Sequence, residues 1–242
     1  MRILSDLAHE IFEGLSVSED GVTLDITEEA GVKRYLTRVT NARGARRLGK
    51  PIGMYSNIEG EGNLIEVLAE TLREFITETG APLTKLLVIG LGNNRFVADS
   101  LGPLVCKFLM PVTRKALAVF PPNVSGMTGI QSTDAIKAIA TAVQPSHVLV
   151  IDSLCCHERA RLGNNFQVSS TGITPGSGVG RDNKRLDTKY LGVPVIALGV
   201  PLVIYLPKLY YVVPKNIDLL VEGCAKQIAK AVETVVQWRH DE

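Results

Sequence analysis

Cysteine is scarce in this chain, and the four present, at positions 106, 155, 156 and 224, form no C-x-x-C pair. That pattern excludes a disulfide framework and fits a reducing cytoplasm. An excess of charge of one sign is lacking as well. Lys and Arg number 26 against 25 Asp and Glu, a net charge of +1, so nothing marks a nucleic-acid or membrane partner. No apolar run approaches bilayer-spanning length, and Met1-Arg2-Ile3-Leu4-Ser5-Asp6 lacks the apolar core of a signal peptide. The expectation is a soluble, cytoplasmic protein. Several site signatures fail too. Arg95 stands where the third glycine of a G-x-G-x-x-G dinucleotide fingerprint would fall after Gly90-Leu91-Gly92. No G-K-[ST] follows the glycine-rich stretch Thr171 to Gly180, and the five residues around Ser177, Pro175 to Val179, miss the G-x-S-x-G elbow. There is no internal repeat and no low-complexity tract.

What remains is a chain of 242 residues, 45% hydrophobic, which is enough for one large domain or one domain with an extension. Residues 1–62 are polar and charged. Val22-Thr23-Leu24-Asp25-Ile26 and part of Lys33 to Val39 alternate with the period of half-buried antiparallel strands, so this portion reads as a β-rich N-terminal arm or lobe. Residues 63–242 read as an α/β catalytic core. Leu64, Val67, Leu68, Leu72 and Ile76 recur at helical spacing behind a possible cap at Asn63. Further helices are predicted from near Ser100, over Gln131–Val143 with Ser132 or Thr133 as cap, and from about Lys215 to Trp238. Leu86 to Gly90, His147 to Ile151 and Val193 to Val200 are short, β-branched apolar runs, the mark of buried parallel strands. Alternating strands and helices predict a three-layer α/β sandwich around a mostly parallel central sheet.

Two aspartates follow these strands. Asp99 comes shortly after the first, and Asp152 ends the second. Ligands in open parallel sheets sit beyond the carboxyl ends of the strands, so adjacent strands would bring both carboxylates to one crevice. A carboxylate pair can divide acid and base roles around a water. Each residue also has a plain reading, Asp99 as a helix cap and Asp152 as a strand-end turn. Backbone N–H groups of the glycine loop can grip an anion or a peptide carbonyl. Asn93, Gly176, Ser177 and Gly178 are the candidate substrate-binding positions. His157 beside Cys155 and Cys156 invites a thiol–imidazole pair, but neighbours on one segment seldom face each other, and the spacing is not that of zinc ligands.

At these residues the chain resembles the germination protease family of spore-forming bacteria. Five family patterns occur in order: Gly90-Leu91-Gly92-Asn93 with Asp99-Ser100-Leu101-Gly102-Pro103; Gly126-Met127-Thr128-Gly129-Ile130; Ile151-Asp152-Ser153-Leu154; Thr171 to Gly180; and Leu191 to Pro201. The resemblance implies an endopeptidase that degrades small acid-soluble spore proteins in the germinating spore core. It implies Asp99 and Asp152 as the catalytic pair, no cofactor or metal, and a homotetramer. It also implies a fold like that of the hydrogenase-maturation endopeptidases, whose acidic crevice meets nickel. Family precursors carry a pro-segment, and Ser5-Asp6-Leu7-Ala8-His9-Glu10 resembles its junction, so the chain starts almost where a mature enzyme would. Arg181 and Asp182 lengthen the glycine loop, and Ala98 replaces a common proline. Two alternatives stand beside this reading: a metal-sensing maturation peptidase with His157 as a further ligand, and a silent peptide-binding homologue.

Overall fold

A computed structural model describes residues 5–14, 20–110, 116–175, 184–206 and 210–238. In chain order the elements are α1 (Ala8–Glu13), β1 (Val22–Glu29), β2 (Val32–Val39), α2 (Ala42–Leu48), β3 (Gly53–Gly60), α3 (Leu64–Thr77), β4 (Leu86–Gly90), α4 (Leu101–Leu109), β5 (Leu117–Phe120), α5 (Ser125–Thr128), α6 (Ser132–Val143), β6 (His147–Cys156), β7 (Asn165–Ser169), α7 (Thr188–Leu191), β8 (Val195–Leu206), β9 (Tyr210–Val212) and α8 (Ile217–Trp238). Among the described residues the strands form one sheet in the order β1-β2-β3-β7-β8-β6-β4-β5, with β9 paired to β8. Strands β8, β6, β4 and β5 run parallel. Strands β1, β2, β3 and β7 continue the sheet antiparallel, and β7 joins β8 antiparallel. The alternating N-terminal segments are thus the far wing of the same sheet.

The parallel half is covered on both faces, which is why its strands lack polar alternation. All five residues of β4 and the first five of β6 are buried. One face packs against α3, α4 and α8 through Leu72, Phe75, Val105, Ile228 and Val232, which meet Leu149, Ile151, Ile196 and Leu198. The other packs Ile136 and Ala140 of α6 against Leu87, Ile89, Val148 and Val150. This is the layered sandwich that the sequence predicts. Helix α8, predicted from about Lys215, buries Val221, Cys224, Ile228, Val232 and Val235 along one stripe. Each fully buried leucine or isoleucine contributes about 1.5–3 kcal/mol.

Two helix caps differ from expectation. Asn63 stands at the start of α3, but its side chain makes no capping bond. Gln131 precedes α6, so Ser132 and Thr133 lie within the first turn; Thr133 is buried there, and neither caps. The second central strand also runs past Asp152, to Cys156. It does so because β8 continues beside it, through a register shift between Leu154 and Cys155.

Candidate active site

Glycines shape the first half of the site. A methyl at Gly90 would lie 2.2 Å from the Gly102 carbonyl oxygen, and one at Gly102 would lie 2.4 Å from that of Leu91. Helix α4 therefore packs directly on the end of β4. Gly92 takes φ +115°, and a methyl there would lie 2.0 Å from the Asp99 carbonyl oxygen. The excursion between them closes on itself. The Asn93 N–H donates to the Asp99 carbonyl at 2.8 Å, and the Asp99 N–H donates to that of Phe96 at 2.8 Å. Asp99 ends a short 3₁₀ turn, Val97–Asp99, with Ser100 rather than Asp99 at the cap position of α4. The Asn93 side-chain oxygen accepts from the Arg95 N–H at 2.9 Å, which tightens the same turn.

Asp152 stands on the neighbouring strand. Gly90 registers with Ile151, and the Leu91 N–H donates to the Ile151 carbonyl at 2.8 Å. Asp152 is thus the first residue beyond the paired length of β4. It keeps partial solvent access, yet protein surrounds its carboxyl. Burial raises its pKa well above the carboxylate range, and the negative charges of Asp99 and Asp6 push it the same way. Its bond from the Ser153 N–H, at 2.9 Å, opposes the rise. The structure therefore brings together the two aspartates that the sequence singles out. Burial, with Asp99 behind it, favours the protonated form of Asp152.

A third carboxylate arrives from the N-terminal segment. The Asp6 N–H donates to the Cys155 carbonyl at 2.8 Å, and its carboxylate accepts from the Cys155 N–H at 2.9 Å. The Asp6 carbonyl accepts from Lys50 Nζ at 2.7 Å and Gln167 Nε2 at 2.9 Å. Gln167 also accepts from the Ala8 N–H at 2.7 Å. Burial lowers the Lys50 pKa; Arg185 adds to this and Asp6 opposes it. Helix α1 is then locked down by charge. Buried Glu10 accepts from the His157 and Glu158 N–H groups at 2.9 and 2.8 Å. Arg161 meets Glu13 at 2.6 Å, Glu158 at 3.1 Å and the ring of His9. Burial, with the Arg161 charge behind it, holds the His9 pKa down to about 3.

Gly176, Ser177 and Gly178 lie outside the described residues. The neck of their loop is pinned. Ile173 and Leu186 form an antiparallel bridge, and Arg185 donates to the Thr171 and Gly172 carbonyls at 2.7 and 2.9 Å. His157 is exposed, while the Cys155 and Cys156 thiols donate to backbone carbonyls. Among the described residues, no group of three or more His, Cys, Asp or Glu is arranged to hold a metal ion. No helix among them is long and apolar enough to cross a membrane.

Sequence reasoning missed Asp6, Lys50 and Gln167 as neighbours of the site. Only the Ser5–Glu10 pattern gave a signal for the first. Lys50 and Gln167 are single polar residues without a motif.

With this geometry in view, comparison with known proteins defines a class first. A family model described as germination protease matches residues 8–209, so the chain is a peptidase. Germination proteases of Caldanaerobacter subterraneus subsp. tengcongensis, Clostridium tetani and Bacillus licheniformis are each 34% identical to it. The alignments cover 95%, 84% and 82% of this chain and 77%, 71% and 60% of those proteins. The chain belongs to the germination protease family. Among solved structures, a [NiFe] hydrogenase maturation protease, HycI from Thermococcus kodakarensis, superposes with a TM-score of 0.45 at 16% identity, over 66% of this chain and 99% of that one.

Proposed function

We propose that this chain is an endopeptidase that hydrolyses small acid-soluble spore proteins during germination, with Asp99 and Asp152 activating the attacking water. The observation that carries the reading is the placement of the two carboxylates beyond adjacent parallel strands, with Asp152 held toward its neutral form by burial and by its neighbour Asp99. An ionised carboxylate takes a proton from water as that water adds to the peptide carbonyl. A protonated one delivers a proton to the departing nitrogen. The loop from Gly172 to Gly180 lies after β7, and its backbone donors would grip the substrate chain. Family membership supports the peptidase chemistry, and the sequence resemblance supports the spore-protein substrate.

The test is incubation with a purified small acid-soluble spore protein, followed by intact mass measurement. Wild type is expected to give discrete fragments. Asp99→Asn and Asp152→Asn should each lower the rate by about 10²–10⁴-fold, the usual contribution of a positioned acid or base. Full activity in both variants would end the aspartate mechanism.

A further inference from the structure

We propose that Lys50 and Gln167 are catalytic residues of this peptidase, polarising the scissile carbonyl and holding the oxyanion that forms when water adds to it. The inference rests on the aspartate-pair reading above. Its basis is the carbonyl of Asp6, which accepts two side-chain hydrogen bonds at once, from Lys50 Nζ at 2.7 Å and Gln167 Nε2 at 2.9 Å. Two donors converging on one peptide oxygen at about 2.7–3.1 Å is the geometry of an oxyanion hole.

Strand register sets this pair beside the aspartates. Gln167 lies opposite Gly199, and Gly199 lies opposite Asp152. The three form one row across β7, β8 and β6, so Gln167 and Asp152 point from the same face of the sheet. With strands about 4.8 Å apart, their backbones are about 10 Å from each other, across a residue without a side chain. Leu154 fills the space that a side chain at Gly199 would take and forms an apolar floor. Beyond Gly90, strand β4 no longer covers the edge of β6, and Asp6 binds that edge at Cys155, its N–H donating to the Cys155 carbonyl and its carboxylate accepting from the Cys155 N–H. The chain's own Asp6 therefore already lies on the edge next to Asp152, and a substrate that displaces it would set its carbonyl where that of Asp6 sits. The residue after it, Leu7, is fully buried against Leu154, Cys156 and Ile204.

The lysine argues for more than a strap. Neutral donors such as Gln167 suffice to hold a resting carbonyl. Lys50 is partly buried; taking an ammonium partly out of water carries a desolvation cost, and a lower dielectric strengthens its attraction for an anion. A transition-state oxygen that gains charge is such an anion. In the reaction, the water oxygen bonds to the carbonyl carbon and the π pair moves to the carbonyl oxygen, while a water proton passes to the ionised carboxylate. The C–N bond then breaks as the carbonyl re-forms, and the protonated carboxyl supplies the amine's proton. Lys50 and Gln167 give up no proton.

Steady-state hydrolysis of the purified spore protein tests this with Lys50→Met, Lys50→Arg and Gln167→Glu. The glutamate keeps an acceptor for the Ala8 N–H but removes the donor to the carbonyl. Expected is a kcat lower by about 10²–10³-fold in Lys50→Met and Gln167→Glu with KM within about threefold, and partial recovery in Lys50→Arg. Melting temperatures near wild type confirm that the variants fold. Unchanged kcat in folded Lys50→Met and Gln167→Glu, or a change in KM alone, overturns this proposal and leaves the aspartate mechanism standing. No cleavage by wild type overturns both.

Discussion

Replacing Gly92 by alanine should damage catalysis far more than an equivalent change elsewhere. At φ +115° an L side chain is strained, at a cost of about 1–3 kcal/mol. The new methyl would lie 2.0 Å from the Asp99 carbonyl oxygen, where real contacts stay beyond 3.0 Å, so the turn must open by about 1 Å. Opening it weakens the Asn93 N–H bond to that carbonyl, worth about 0.5–1.5 kcal/mol. Together these cost about 1.5–4.5 kcal/mol of stability. Because Asp99 rides on the strained carbonyl, a shift of that size should slow hydrolysis by about 100-fold. Gly80→Ala is the control. Its φ is +70° and its methyl meets nothing within 4 Å, so it should lose about 1–2 kcal/mol and no activity. Urea denaturation gives the stabilities, and cleavage of the spore-protein substrate gives the rates. If Gly92→Ala matches Gly80→Ala in both, the turn does not position Asp99 and the reasoning fails.

Two further outcomes follow from the charges. Asp152 has a raised pKa in the fold, so the folded state binds its proton more tightly, and stability falls as pH rises from the ordinary carboxylate value of 3.8 through the folded pKa. Asp152→Asn should therefore melt higher than wild type at pH 7, with the gap closing toward pH 4; a gap of equal size at both values would refute the shift. Arg161→Met leaves the buried carboxylate of Glu10 without its nearest cation, at a cost of about 3–5 kcal/mol, and should speed amide exchange across Ala8–Glu13; unchanged exchange there would show that α1 is held by other contacts.

Much of the parallel half was legible because burial on both faces removes polar residues from β4 and β6, leaving runs such as Leu87-Val88-Ile89 and Val148-Leu149-Val150-Ile151. Asp99 and Asp152 stood out against those runs. The continuation of β6 was hidden because Asp152 and Ser153 look like the polar end of a strand, while the pairing that extends it comes from β8, some fifty residues on. The caps misled because Asn63, Ser132 and Thr133 have the right chemistry, but buried packing fixed the helix starts one position away from it or without its bond. Lys50 and Gln167 were invisible for a different reason. What makes them notable is one oxygen shared by residues 6, 50 and 167, and no local pattern encodes such a meeting.

The docking of the N-terminal segment has a consequence for the order of folding. Its bonds to Cys155, Gln167 and Glu158 join residues 148 to 161 positions apart. Contacts of such separation carry a large loop-closure entropy and form late. On a ribosome, Asp6 to Glu10 are made well before β6 and β7 and must wait for them before they have a surface to bind. The face that holds Asp152 is therefore finished late, by a segment made well before it.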